Sequence, residues 1–358
     1  MGTGETTRRR LMLGGSAACV AACLGMRSGR AQDRAAQARQ VIADTITIDM
    51  HSHAGGFIRP RRTGSRGKPV SGPMRQGGLA VACLAIVADA PTHRLMSDHR
   101  IHPFRSPEAG ELYAWTVASF RRLHDLIQQE DLALVTDMAK LRAARAGRPA
   151  AIIASEGGDF LDGRPDRVDE AYERWQLRHL QLVHYRPNDL GDIQTEPPVH
   201  DGLTDAGAEV IRRCNRRGVV VDVAHATFEV VKRAASVTTK PLILSHTALS
   251  NSPPYLSRLV SRDHARAVAA TGGVVGVWPV FPDLRAMAEN MARLADVIGA
   301  DHVGLGSDQE GLPSIGAFPD YAQLPDLAEA MLATGFKPAE VGQLLGGNYR
   351  RVFEATVG

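Results

Sequence analysis

The sequence predicts an α/β fold, a (β/α)8 barrel of the TIM type, and three observations lead there. Eight apolar runs of strand length are spaced between Ile46 and Ser307, each suited to a strand buried on both faces. Segments of helical period stand between them, and strands alternating with helices build a parallel sheet that eight units close into a barrel. Six of the eight runs end in a histidine or a carboxylate, the side chains that bind metals and move protons.

Residues 1–31 read as a leader outside the fold. Thr7-Arg8-Arg9-Arg10-Leu11-Met12 resembles a twin-arginine export signal. The apolar stretch from Leu11 to Leu24 is too short for a permanent span, and Gly29-Arg30-Ala31 offers a small-residue cleavage site. Val20-Ala21-Ala22-Cys23 also fits a lipobox, so a lipid anchor at Cys23 stands beside cleavage after Ala31. Either route is export, to the periplasm, with no transmembrane segment in the mature chain. The leader holds five arginines against Glu5, so the formal charge of +3 is concentrated there and the remainder is near neutral. That balance argues for neither nucleic acid nor an anionic membrane as partner. Beyond the leader only Cys83 and Cys214 remain, too few for a disulfide framework and read as buried small hydrophobes.

Residues 32–358 read as one barrel domain, entered through a short helix at 32–43. The first strand, Ile46 to Ser52, ends in His51-Ser52-His53, followed by Gly55-Gly56. Residues two apart on an extended chain share a face, so both imidazoles can address one point. Residues 57–76 read as a long solvated loop with a basic run from Arg59 to Arg66. The second strand is Leu79 to Ala88. Residues 89–110, with His93, His99 and His102, read as a surface excursion. Glu111 to Glu130 is an amphipathic helix with Leu112, Trp115, Val117, Phe120, Leu123 and Ile127 on its apolar face.

The third strand, Ala151 to Ser155, ends in Glu156 and the fourth, His179 to Val183, in His184. A helix over Leu203 to Arg217, with Thr204 as N-cap and Gly218 as stop, leads to the fifth strand, Val219 to Ala224, ending in His225. The sixth, Pro241 to Ser245, ends in His246. Helices at 262–271 and 284–299 flank the seventh strand, Gly273 to Trp278. The eighth, His302 to Ser307, ends in Asp308. Two closing helices, about 324–334 and 337–346, precede a short tail.

In such barrels the C-terminal strand ends carry the chemistry. His51, His53, Glu156, His184, His225, His246 and Asp308 would therefore face one bowl. The set suffices for two metal ions, with His51 and His53 on one, His225 and His246 on the other, and Glu156 bridging. Two such metals can hold a bridging hydroxide and polarise a carbonyl. Asp308 would then shuttle the proton to a leaving amine, and His184 would stabilise the oxyanion. The chemistry is metal-assisted hydrolysis of an amide or ester.

Several segments together resemble the membrane (renal) dipeptidase family of the amidohydrolase superfamily. They are Glu156-Gly157-Gly158, His184 with Asn188-Asp189, Gly202-Leu203-Thr204, Asp222-Val223-Ala224-His225, Ser245-His246, the run Gly272 to Val277, Gly304-Leu305-Gly306-Ser307-Asp308, and Gly346-Gly347-Asn348. The resemblance spans about residues 44–354. It implies a binuclear zinc barrel that hydrolyses dipeptides, a small-molecule peptide substrate, and relatives that often form homodimers. It places Glu156 as bridging ligand, His225 and His246 on the second metal, His184 against the substrate and Asp308 as acid and base. It also implies that Arg258, in Ser257-Arg258-Leu259, binds the substrate carboxylate, which a guanidinium suits through paired hydrogen bonds. The chain departs from the family at His53, where an aspartate is usual, at Leu259, and at Gln309-Glu310-Gly311. Two other readings stand beside an exported zinc dipeptidase. One is a hydrolase of the same barrel acting on another small amide or ester, such as a peptide-derived secondary metabolite. The other is a non-catalytic metal- or substrate-binding relative.

Overall fold

The structure, a computed structural model, describes residues 32–60, 67–144, 147–312 and 316–358. The leader and residues 61–66 of the basic run lie outside the described residues. A helix over 32–44 leads into the barrel. Eight parallel strands follow: β1 Ile48–Ser52, β2 Val81–Val87, β3 Ala150–Glu156, β4 His179–Gln181, β5 Val220–Asp222, β6 Leu242–Thr247, β7 Val274–Val277 and β8 Val303–Leu305. They pair in sequence order from β1 to β8. The barrel closes where the Asp308 N–H donates to His51 O and the His53 N–H to Gln309 O, both at 2.9 Å.

Alternation along the strands explains the continuous apolar runs. Ile48, Met50, Val81, Cys83, Ile152 and Ile243 form one buried cluster inside the barrel. Their neighbours Ala82, Leu84, Ile153, Leu244, Val275 and Leu305 join the cluster that the outer helices complete. A strand packed on both sides has no polar face to show. Cys83 and Cys214 are free thiols and fully buried, as expected.

Glycines set how closely strands approach beneath the bowl. A Cβ on Gly276 or on Gly306 would lie 1.8 Å from Ser245 O, so β7 and the end of β8 pack against the carbonyl just before His246. Thr204 caps the helix Asp205–Arg217 by accepting from the Gly207 N–H, and Gly218 ends it in the left-handed region at φ 76°, as the sequence predicts. No helix among the described residues is long and apolar enough to cross a membrane.

Four expectations are corrected. The loop 57–76 contains a helix, Ser71–Gly77, whose start is held by Glu130, which accepts from the Val70 and Ser71 N–H groups at 3.0 and 2.9 Å. The excursion 89–110 is built around an antiparallel hairpin, His93–Leu95 with Ile101–Pro103. The long helix Glu111–Gln129 buries Leu112, Thr116, Ser119 and Phe120, leaving Trp115 and Val117 half-buried; the Trp115 indole N–H is occupied by Val87 O at 2.9 Å. The tail is a helix, Asn348–Thr356, whose Tyr349, Val352 and Phe353 belong to the same interior cluster as Ile46, Ile48 and Val81. Those three side chains follow i, i+3, i+4 spacing and plug the barrel where the strands begin.

Candidate active site

Two buried aspartates shape the strand ends before any functional side chain appears. Asp49 Oδ1 accepts the His51 N–H at 3.3 Å and the Ser307 N–H at 2.8 Å, while Oδ2 accepts the Tyr321 hydroxyl at 2.8 Å. Asp49 thus ties the start of the His51–His53 turn to the residue before Asp308; burial pushes its carboxyl up to about 6. Asp222 Oδ1 accepts the Ala224 N–H at 2.9 Å and the Ser245 N–H at 3.0 Å, and Oδ2 faces His179 Nε2 at 3.1 Å. It fixes the residues before His225 and His246 together. Burial opposes its charge, yet His179 and the amide donors hold the carboxyl below its usual range. A register slip in β1 between Asp49 and Ser52 falls at His51.

All seven side chains expected at the bowl meet there. Glu156, 2% exposed, is the hub. Its Oε1 lies 3.2 Å from His225 Nε2 and 3.4 Å from the Nε2 atoms of His51 and His246. Its Oε2 lies 3.2 Å from His53 Nε2 and 3.2 Å from His184 Nε2. Asp308 Oδ1 stands 3.4 Å from His53 Nε2 and 3.9 Å from His51 Nε2. The Nε2 atoms also face each other in pairs, His51 with His53 and His225 with His246, both at 3.2 Å.

This donor set could hold metal. His53 Nδ1 is committed to Ala85 O at 2.7 Å, so its Nε2 lone pair points into the cluster. A backbone carbonyl fixing one ring nitrogen is the arrangement that orients a metal-binding imidazole. His246 Nδ1 is held by Ser245 Oγ at 2.9 Å. Two imidazole nitrogens 3.2 Å apart need a proton or a cation between them. The triads His51–Glu156–His246 and His51–His53–Asp308 each gather their ligand atoms within 4.8 Å.

The charges agree. Burial alone would drive His53 to lose a proton, but Asp308 and Glu156 hold its imidazolium up to about 10. His225 and His246 are driven well below the usual histidine range, first by burial, then by the charges of Arg258 with His184 and of His51 with Arg258, respectively. Glu156 is held well below its usual range by His184 and His51 against its burial. The bowl therefore draws positive charge to the side of Glu156 and Asp308.

Asp308 and His225 share a further property. Both are non-glycine residues in the left-handed region, at φ 47° and 67°. Such strain gathers at functional sites because only the surrounding structure can hold it.

Two members of the site were missed in the sequence. Asp89, fully buried, accepts His184 Nδ1 at 2.7 Å and the Tyr185 N–H at 3.0 Å. His93, read as part of a surface excursion, is 8% exposed, and its Nδ1 lies 3.2 Å from the same Asp89 oxygen. Both follow the second apolar run, just as the other site residues follow theirs. His99 is exposed as expected, and His102 pairs with Glu196 at 2.6 Å.

The bowl opens into a cavity of about 230 Å³ lined by His53, Glu156, His184, Tyr185, His225, Trp278 and Asp308, with His93 and Arg59 on its wall. Arg258 is not among the lining residues. Its guanidinium donates to Gln194 Oε1 at 2.8 Å and to His246 O at 3.4 Å and lies 5.2 Å from the Trp278 ring centre. Burial lowers its affinity for its proton, and its positive charge opposes the burial that lifts the Tyr185 phenol to about 12.

Comparison with known proteins follows the same geometry. A family model described as membrane dipeptidase, peptidase family M19, matches residues 35–357. Dipeptidase tcpJ of Claviceps purpurea (strain 20.1) is 29% identical over 222 residues, 59% of this chain and 52% of that protein. The chain thus spans about half the length of that relative. Dipeptidase verJ of Clonostachys rogersoniana is 24% identical over 345 residues, 90% of this chain and 87% of that protein. A metallo peptidase from Rhodobacter sphaeroides, solved with a phosphinate mimic of the dipeptide L-Ala-D-Ala, superposes with a TM-score of 0.72 at 22% identity, over 87% of this chain and 99% of that one.

Proposed function

The chain belongs to the membrane dipeptidase family, peptidase family M19, and from that premise we propose that it is an exported, zinc-dependent dipeptidase. The observation that carries the reading is the convergence of five histidine Nε2 atoms, those of His51, His53, His184, His225 and His246, on the two oxygens of Glu156 at 3.2–3.4 Å. Glu156 offers Oε2 to His53 and Oε1 to His51, His225 and His246, so its two oxygens can serve two ions. His51 and His53 would hold one, and His225 and His246 the other. Zinc held there would supply Lewis acidity to a carbonyl and lower the pKa of the attacking water toward neutrality.

The remaining steps belong to the protein. Asp308, at the cavity wall, accepts the proton of the attacking water and returns it to the leaving amine. His184 presents its Nε2 edge beside Glu156, where an oxyanion would develop. Burial of these groups keeps bulk water from competing for their hydrogen bonds. Arg258 supplies the cation for the substrate's free carboxylate, sharing its donors with Gln194. The likeness to a barrel that holds an L-Ala-D-Ala mimic supports dipeptides as the class to try first. The leader supports export to the periplasm, by cleavage after Ala31 or lipidation at Cys23.

A second reading, a hydrolase of another small amide or ester in the same barrel, is favoured by one observation: Arg258 does not line the cavity. The test is hydrolysis of L,L and L,D dipeptides and their C-terminal amides by the zinc-loaded chain, with His246→Ala as blank. Turnover of the free dipeptides alone supports the dipeptidase. Turnover of amides and free acids at equal rates selects the second reading, and no turnover of any of them rejects the dipeptidase.

A further inference from the structure

We propose that Asp89 is a positioning residue for catalysis: it holds His184 in its working orientation. The proposal rests on the reading of His184 as the group that meets the substrate. A fully buried carboxylate is costly unless its oxygens are filled, and what fills them is specific. Oδ1 takes the Nδ1 edge of His184 at 2.7 Å and faces Nδ1 of His93 at 3.2 Å. Oδ2 takes the Tyr185 N–H at 3.0 Å. Both oxygens therefore serve the His184–Tyr185 step.

The β2 ladder does not need this side chain. It ends with Val87 paired to Glu156, and the turn after it is made by the Asp89 carbonyl, which accepts the Thr92 N–H and hydroxyl at 2.9 and 2.8 Å. The carboxylate is thus free to act on His184. With Nδ1 held, the ring cannot turn over, and Nε2 stays 3.2 Å from Glu156 Oε2, facing the bowl. The His93 ring meets the His184 ring edge to face at 5.1 Å. An oriented imidazole backed by a carboxylate is a general device for fixing one ring nitrogen so that the other can work.

The test is Asp89→Asn, alone and in a His184→Asn background, in the full zinc-loaded chain. The single variant is expected to lose about 10–100-fold in kcat, with KM and zinc content close to wild type. In the His184→Asn background the same change is expected to add no more than about twofold, because Asp89 acts through His184. Independent losses that multiply, or wild-type kcat in the single variant, overturn the proposal. So does a loss of zinc matching the loss of rate, which would make Asp89 a support of the metal centre.

A second readout does not use turnover. In chain labelled with 15N-histidine, the His184 Nδ1–H signal is expected at low field and lost in Asp89→Asn; an unchanged His184 spectrum overturns the proposal. If the wild-type chain hydrolyses no dipeptide, the dipeptidase reading falls, and this spectrum decides the role of Asp89 by itself. Should Asp89→Asn not fold, Asp89→Glu, which moves the oxygens by one methylene, carries the same measurements with the same outcomes.

Discussion

Replacing Asp308 by Asn isolates proton transfer from everything else that residue does. The side chain keeps its shape and loses only its charge and basicity. Its backbone N–H bond to His51 O, 2.9 Å and part of the barrel seam, is untouched. The residue sits at φ 47°, a conformation that Asn tolerates as readily as Asp, so the exchange adds no backbone strain. Stability should therefore stay within about 1 kcal/mol of wild type. The rate should not. A positioned acid/base contributes about 10²–10⁴-fold, which is about 3–5 kcal/mol of barrier. The assay is steady-state hydrolysis of a free dipeptide, with bound zinc counted in the same preparation. The expected result is a fall in kcat of that size with zinc retained. Activity within about threefold of wild type would refute the acid/base role, since that is under 1 kcal/mol. A parallel loss of one zinc would instead make Asp308, 3.4 Å from His53 Nε2, a ligand.

Three other outcomes follow from the same structure. Arg258→Met should raise KM for substrates with a free carboxylate by about 10–100-fold, the worth of a charged hydrogen bond, and leave their C-terminal amides unaffected; equal effects on both would remove Arg258 from carboxylate binding. Gly276→Ala places a Cβ 1.8 Å from Ser245 O and 2.6 Å from Met50 Cε, so urea unfolding should show a loss of about 1–3 kcal/mol with weakened zinc binding through the displaced His246; wild-type stability would show that the strands can part without cost. His264 caps the helix Arg262–Ala270, and burial pushes its imidazole from 6.5 down to about 4. Because the folded state disfavours the proton, its stability contribution is present above pH 6.5 and lost as pH falls toward 4. That is about 2 kcal/mol at pH 5, and His264→Gln should lessen the acid loss seen in urea melts at pH 5 and 7.5.

The parts of the site legible in the sequence share one physical cause. A strand packed against helices outside and side chains inside must be apolar throughout, so the first polar residue after it is conspicuous. That is how His51, Glu156, His184, His225, His246 and Asp308 are found. Asp89 obeys the same rule, but His93, its partner, comes after a break in the apolar pattern and looks like a surface residue. Its burial depends on Asp89 and on the His184 side chain, which the chain brings to it from another strand. The helix Ser71–Gly77 is short and carries no clear apolar period, because its start is satisfied by Glu130 from a distant helix. Asp49 and Asp222 lie inside apolar strands, and their work of joining neighbouring strand ends is visible only in three dimensions. The plug of Tyr349, Val352 and Phe353 was visible as a spacing, hidden by the nearness of the chain end.

The central claim is that one carboxylate, Glu156, holds two cations. Its most direct test is the number of zinc ions bound per chain at saturation, measured on metal-free wild type and on Glu156→Gln. Two ions are expected in the wild type and one or none in the variant. A single ion in the wild type, or two retained without the Glu156 charge, would contradict that claim.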